Sequence, residues 1–191
     1  MSRHPLLHML ARYRDAFPGE AAMVDRICHL VESHANCFDR NCRPGHITGA
    51  AWILSTDRRR VLLTHHRKLD RWLQLGGHAD GQWQVEEVAL REAREESGLT
   101  RFEIVPINGV MMPFDVDVHD IPARYDEQDQ LIEDAHEHHD IRFLMIAHFD
   151  DDIIVSEESH ELAWFTPDEV LKRTNEESIV RMLHKALEIL G

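Results

Sequence analysis

The chain reads as an α/β protein with a mixed sheet between helical layers, and three observations carry that expectation. Strand-like segments gather before and after one central helix, and further helical segments stand at both ends. The 191 residues are enough for one well-buried domain with a small appendage. With 43% hydrophobic and 29% charged residues, the composition is that of a soluble globular protein.

The elements follow in order. Residues 3–36 are expected to form two helices, because Leu6, Leu7 and Leu10, then Met23, Ile27, Leu30 and Val31, fall at helical spacing, with Pro18-Gly19 as the break. Cys37, Asn41, Cys42, Pro44 and Gly45 mark a linker-like loop. Residues 1–45 are therefore expected to be an N-terminal helical extension and linker, and residues 46–191 the main domain. Strands are expected over 47–54 and 60–64, around the turn Ser55-Thr56-Asp57, and a short strand over 73–75 leads into Gly76-Gly77.

After the central helix, apolar stretches cover 102–112 and 114–118. The polar, acidic stretch 121–137 has little periodicity and is expected to be an exposed loop. Residues 141–149 and 161–165 read as strands. Thr166-Pro167-Asp168-Glu169 is a helix start, with Thr166 as N-cap and Glu169 completing a capping box. A final helix over 176–190 puts Ile179, Met182, Leu183, Ala186, Leu187 and Leu190 on one side.

The central helix carries the chemistry. Residues 77–99 read GHADGQWQVEEVALREAREESGL. Glu92, Glu95 and Glu96 stand at i, i+3 and i+4, on one face within about one turn. Carboxylates that close repel, and a hard cation that prefers oxygen ligands offsets the repulsion. The apolar Val85, Val88 and Ala89 project from the same side, so the buried stripe turns acidic, while Glu86, Glu87, Arg91 and Arg94 fill much of the remaining circumference. Such a stripe borders a cleft.

This segment resembles the signature of the Nudix hydrolases: Gly, five residues, Glu, seven residues, then Arg-Glu-apolar-x-Glu-Glu-x-Gly-apolar. Gly77, Arg91, Glu92, Ala93, Glu95, Glu96, Gly98 and Leu99 fall on it with the spacing intact. Two positions depart from it. Trp83 stands where the family has its first glutamate, and Leu75 where many members have proline. With that glutamate missing, Glu87, one turn before Arg91, is the expected partner of the arginine.

The resemblance implies a Nudix-like α/β/α sandwich with the N-terminal helices as an addition. It implies a pyrophosphohydrolase that cleaves a nucleoside diphosphate linked to another moiety by water attack on phosphorus, with Mg²⁺ or Mn²⁺ as cofactor. Glu92, Glu95, Glu96 and the carbonyl of Gly76 would hold the metal, and Arg91 would orient the carboxylates. The general base would be Glu95 or Glu96, with Glu157, Glu158 and Glu161 as alternatives on a later loop. Nudix proteins often pair, so a homodimer is compatible. The rival reading is a Nudix-fold sensor or regulator that binds a nucleotide without cleaving it, and Trp83 is the feature that keeps it open.

Other residues invite a role. His78 follows the paired glycines and is expected near the phosphates. Arg67, Lys68 and Arg71 form a basic patch in an acidic chain, suited to an outer phosphate or a ribose, or to a solvated hairpin tip. His119, His136, His138 and His139 form a histidine cluster that suits a second metal or, through His139, substrate contact. His34, Cys37, Cys42 and His46 are an alternative, zinc-compatible set in a loose pattern.

A formal charge of −14 argues against tight nucleic-acid binding. No apolar run approaches the roughly 18 residues that span a bilayer, and three cysteines suit a reducing compartment. A cytoplasmic location is expected.

Overall fold

The computed structural model describes residues 3–148, 153–156 and 159–191. Two helices open the chain, α1 (His4–Ala16) and α2 (Ala21–Ser33), joined by a 3₁₀ turn at Pro18–Glu20. Leu6, Met9, Leu10 and Tyr13 are buried on the first, and Val24, Ile27, Leu30 and Val31 on the second. These residues belong to the same hydrophobic core as the sheet.

Ten strands follow. They are β1 (Gly45–Leu54), β2 (Val61–His66), β3 (Arg71–Leu73), β4 (Leu75–His78), β5 (Phe102–Ile104), β6 (Asp115–Ile121), β7 (Arg124–Tyr125), β8 (Leu131–Glu133), β9 (His136–Ala147) and β10 (Ser159–Phe165). Interleaved with them are α3 (Val85–Ser97), α4 (Pro167–Arg173) and α5 (Glu177–Leu190). The main path of the sheet is β10-β2-β1-β9-β5, with β3 on β2, β4 on β1 and β6 on β9. The pairing of β1 with β9 is parallel and the others are antiparallel, so the sheet is mixed as expected. All ten residues of β1 are buried, which is why it reads as an unbroken run and not as an alternation.

Two expectations need correction. The strand expected over 73–75 is divided, and the paired glycines lie inside a strand of their own. The chain breaks at Gln74, so that β3 stays on β2 while Leu75, Gly76, Gly77 and His78 cross to β1 as β4. Leu75, in the proline position of the resemblance, is fully buried there. The stretch 121–137 is not an open loop, since β7 and β8 form a hairpin whose turn is held by the Asp126 carboxylate, accepting from the N–H groups of Gln128 and Gln130. Its end, from His136 onward, is already β9. The loop between α2 and β1 contributes to the core, with Cys37, Phe38 and Cys42 buried.

The polar start of β9 is tolerated because its partners are polar too. Arg142, 2% exposed, donates to Asp140 (2.7 Å), Asp115 (3.0 Å) and Asp117 (3.0 Å). Arg181 of α5 donates to Asp115 (2.8 Å), and Lys185 donates to Asp115 (3.1 Å), Glu20 (2.6 Å) and the Tyr13 hydroxyl (2.7 Å). Burial raises the pKa of Asp115, yet Arg181, Arg142 and Lys185 together hold it below the usual carboxylate range. This buried network fastens the N-terminal helices and α5 to β6 and β9.

Candidate functional site

Helix α3 buries Val85, Val88, Ala89 and Ala93, and Gly98 ends it in the left-handed conformation at φ 74°. Within its last two turns the carboxylates are graded in depth. The Glu92 side chain is 12% exposed and the Glu95 side chain 60%. Glu92 rests on Gly77 of β4, where an added Cβ would fall 2.5 Å from its carboxyl carbon. Only glycine leaves room for that approach.

Glu96 accepts a hydrogen bond from the Gly76 N–H at 3.2 Å. Gly76 faces Ala50 of β1 in the antiparallel register. In an extended residue the N–H and C=O leave by the same edge, so the Gly76 carbonyl also turns away from β1, toward the α3 side. An inward carboxylate pair, a third carboxylate at the rim and a backbone carbonyl are all oxygen donors, which suits a hard divalent cation.

Arg91 organises these groups. Its guanidinium meets Glu92 Oε1 at 2.7 Å and Glu95 Oε2 at 3.2 Å, and donates to the His78 carbonyl at 2.8 Å. The expected Glu87 pair does not form among the described residues, because the guanidinium reaches forward to the carboxylates and across to β4. Trp83 packs against the core instead of supplying a charge.

In front of these residues lies a cleft of ≈ 450 Å³, bordered by Gly76, Gly77, His78, Arg91, Glu92 and Glu95. Lys68, Arg40 and Arg124 line the same cleft. Arg40 is paired with Asp80 (2.7 Å) and holds its carboxyl below the usual range, while Arg124 lies 3.4 Å from Glu133. Sequence reading missed Arg40, Asp80, Arg124 and Glu133. No local signal links them, since they stand far apart in the chain and only the fold brings them together.

The remaining singled-out residues lie elsewhere. Arg67 donates to the Ser159 carbonyl (3.1 Å), and Arg71 is paired with Glu176 (2.9 Å) beside a separate groove. Neither borders the carboxylate cleft. Glu161 is exposed on β10 opposite His65, also outside the cleft lining. Glu157 and Glu158 fall outside the described residues. His139 is buried on the opposite face of β9 from His138, hydrogen-bonded to Glu137 at 3.0 Å.

The loose set His34, Cys37, Cys42 and His46 does not assemble as one group of ligand atoms among the described residues. His46 instead joins His136 and His138, with His78 and His119 at their margin. Burial, then the neighbouring imidazoles of His78 and His136, push the His46 pKa down to about 3. Burial, then His46 and His119, push that of His138 to about 2. These rings are neutral at ordinary pH.

The family model for the NUDIX domain matches residues 45–186. Among solved structures, a NUDIX-family hydrolase from Clostridium perfringens is 23% identical, with a TM-score of 0.58 over 76% of this chain and 98% of that one. An Ap4A hydrolase from C. elegans is 17% identical (TM-score 0.56, 75% and 96% covered). The E. coli dihydroneopterin triphosphate pyrophosphohydrolase is 15% identical (TM-score 0.54, 75% and 94% covered). No curated protein matches the chain. At these identities the solved structures speak for the fold alone, and it is the domain match over most of the chain that decides kinship: the protein belongs to the NUDIX-domain family.

Proposed function

We propose that the protein is a hydrolase dependent on Mg²⁺ or Mn²⁺ that cleaves the pyrophosphate bond of a nucleoside diphosphate linked to another moiety, by water attack on phosphorus. The observation that carries this reading is the seating of Glu92 and Glu96 against Gly77 and Gly76, with Glu95 at the rim of the same cleft. When bound, the divalent cation supplies charge neutralisation of the phosphates and a lowered pKa for water.

The chain's own residues do the rest. Glu92, Glu96 and the Gly76 carbonyl hold the cation, and Arg91 keeps Glu92 and Glu95 from turning away. Glu95, the most exposed of the three and placed on the cleft lining, is suited to take a proton from the attacking water; Glu96 is the alternative. Arg40, Lys68 and Arg124 offer positive charge to the outer phosphate and ribose. Arg67 and Arg71 are assigned no part, being engaged elsewhere.

The test is a panel of nucleoside diphosphate sugars, dinucleoside polyphosphates, nucleoside triphosphates and capped RNA, with Mg²⁺ and then Mn²⁺. At least one member is expected to be cleaved, and chelator to abolish the cleavage. Thermal stabilisation by a panel member with no product from any of them would favour the sensor reading instead. A relative precedent for ligand binding is the NUDIX domain of Shewanella oneidensis NrtR, solved with ADP ribose.

A further inference from the structure

His46 and His138 stand directly opposite each other in the parallel pairing of β1 with β9, and His136 lies two residues before His138 on the same face. Their ring centroids are 4.7 Å (His46 to His138), 4.9 Å (His46 to His136) and 5.2 Å (His136 to His138) apart. One ring nitrogen from each lies within 4.8 Å of the others, and among the described residues no other group of three ligating side chains does this.

Packing alone leaves their polar atoms unexplained. His46 is 1% exposed, and neither of its ring nitrogens has a hydrogen-bond partner among the described residues. His136 is 5% exposed, and its Nδ1 lies 2.8 Å from the Asp134 carbonyl. A carbonyl only accepts, so Nδ1 carries the proton and Nε2 keeps its lone pair. That Nε2 is buried without a hydrogen bond; Glu133 Oε1 stands 3.9 Å away. An imidazole whose far nitrogen donates to a backbone carbonyl is oriented as metal-ligating histidines are.

From this geometry we propose that His46, His136 and His138 bind one transition-metal ion of the zinc class, in a site separate from the carboxylates of α3. Imidazole nitrogen suits Zn²⁺ far better than Mg²⁺, so the two sites sort ions by ligand softness. Tetrahedral coordination at about 2.0–2.1 Å sets ligand nitrogens roughly 3.3 Å apart, and small ring rotations bring the trio there. His78, whose ring centroid is 5.1 Å from those of both His46 and His138, stands where a fourth ligand belongs. His119 lies farther out, 5.5 Å from His138, with Asp117 as its partner. The ion would tie the first residues of β1 and β9 together beside β4, which pairs with β1 and whose His78 carbonyl anchors Arg91. The site does not depend on which substrate the carboxylate cleft takes.

The full chain, without an affinity tag, is stripped of metal, loaded with Zn²⁺ and dialysed against excess Mg²⁺, and its metal content is measured. One Zn²⁺ per chain is expected to remain. His138→Gln and His136→Gln remove a ligand outright and are expected to weaken Zn²⁺ binding by more than the roughly 100-fold that loss of an outer-shell partner costs, while Glu96→Gln retains the ion. Loaded with Co²⁺, the wild-type chain is expected to show the intense visible bands of a tetrahedral site. If a histidine variant does not fold, the wild type still decides: Zn²⁺ must shift the imidazole NMR signals of His46, His136 and His138. No retained Zn²⁺, retention lost in Glu96→Gln but not in His138→Gln, or unshifted imidazole signals overturns the proposal.

Discussion

Gly77 lets the Glu92 carboxylate lie against the β4 backbone, and the atoms nearest to a methyl group there are the tip of that flexible side chain. Gly77→Ala is therefore expected to fold, with Glu92 displaced by an ångström or so. Misplacement on that scale costs on the order of 100-fold in rate. The comparison to make is kcat/KM at saturating Mg²⁺ together with the melting temperature. A variant that keeps full activity shows that Glu92 need not occupy this position. At this scale the sequence was legible where residues are consecutive on one helix. The spacing of Glu92, Glu95 and Glu96 announces a shared face, but not the difference in depth that separates the rim carboxylate from the inner two. That difference comes from β4, which nothing in the local pattern draws in.

At the scale of elements, α3, α4 and α5 were readable because their apolar spacing and the Thr166 to Glu169 capping box are local signals. The beginning of β9 was not, because Asp140 is held there by Thr48 of β1 and by Arg142, and the histidines His136 and His138 lie against His46 rather than in water. Trp83 marks the same limit. The resemblance makes it a missing charge, while the fold makes it packing, with Arg91 held by Glu92, Glu95 and the His78 carbonyl. Restoring the family residue with Trp83→Glu is expected to cost about 2 kcal/mol of stability and to leave kcat/KM no higher. Denaturant unfolding and steady-state kinetics measure the two halves. A gain in activity shows that Arg91 does lack a partner.

Across the whole molecule, the buried charges couple elements that the sequence presents as separate. Tyr13 and Glu20 come from the N-terminal segment, Asp115 and Asp117 from β6, Asp140 and Arg142 from β9, and Arg181 and Lys185 from α5. Residues 1–45 read as an appendage because a single sequence shows their helices and not the cations they meet. Asp115→Asn leaves those cations without their buried charge, and is expected to cost roughly 3–5 kcal/mol.

The pH dependence follows from the same residues. Asp115 and Asp117 have folded pKa values below the unfolded value, so the unfolded chain takes up protons first as the solution is acidified. Their contribution is complete above about pH 4 and drains as pH falls through the folded values. The groups facing them are Arg142, Arg181, Lys185, Tyr13 and Glu20, with His119 beside Asp117. Unfolding free energies at neutral and at acid pH are expected to show a steeper acid loss in wild type than in Asp115→Asn. Equal acid limbs contradict the network's role.

One helix, one short strand and the distant Arg40 and Arg124 meet at the carboxylate cleft. The decisive measurement is the turnover of a cleaved nucleoside diphosphate compound by Glu96→Gln, at saturating Mg²⁺ and with the melting temperature in hand. Turnover is predicted to fall by orders of magnitude in a chain that remains folded. Unchanged turnover contradicts the assignment of Glu96 and the seat against Gly76 on which it rests.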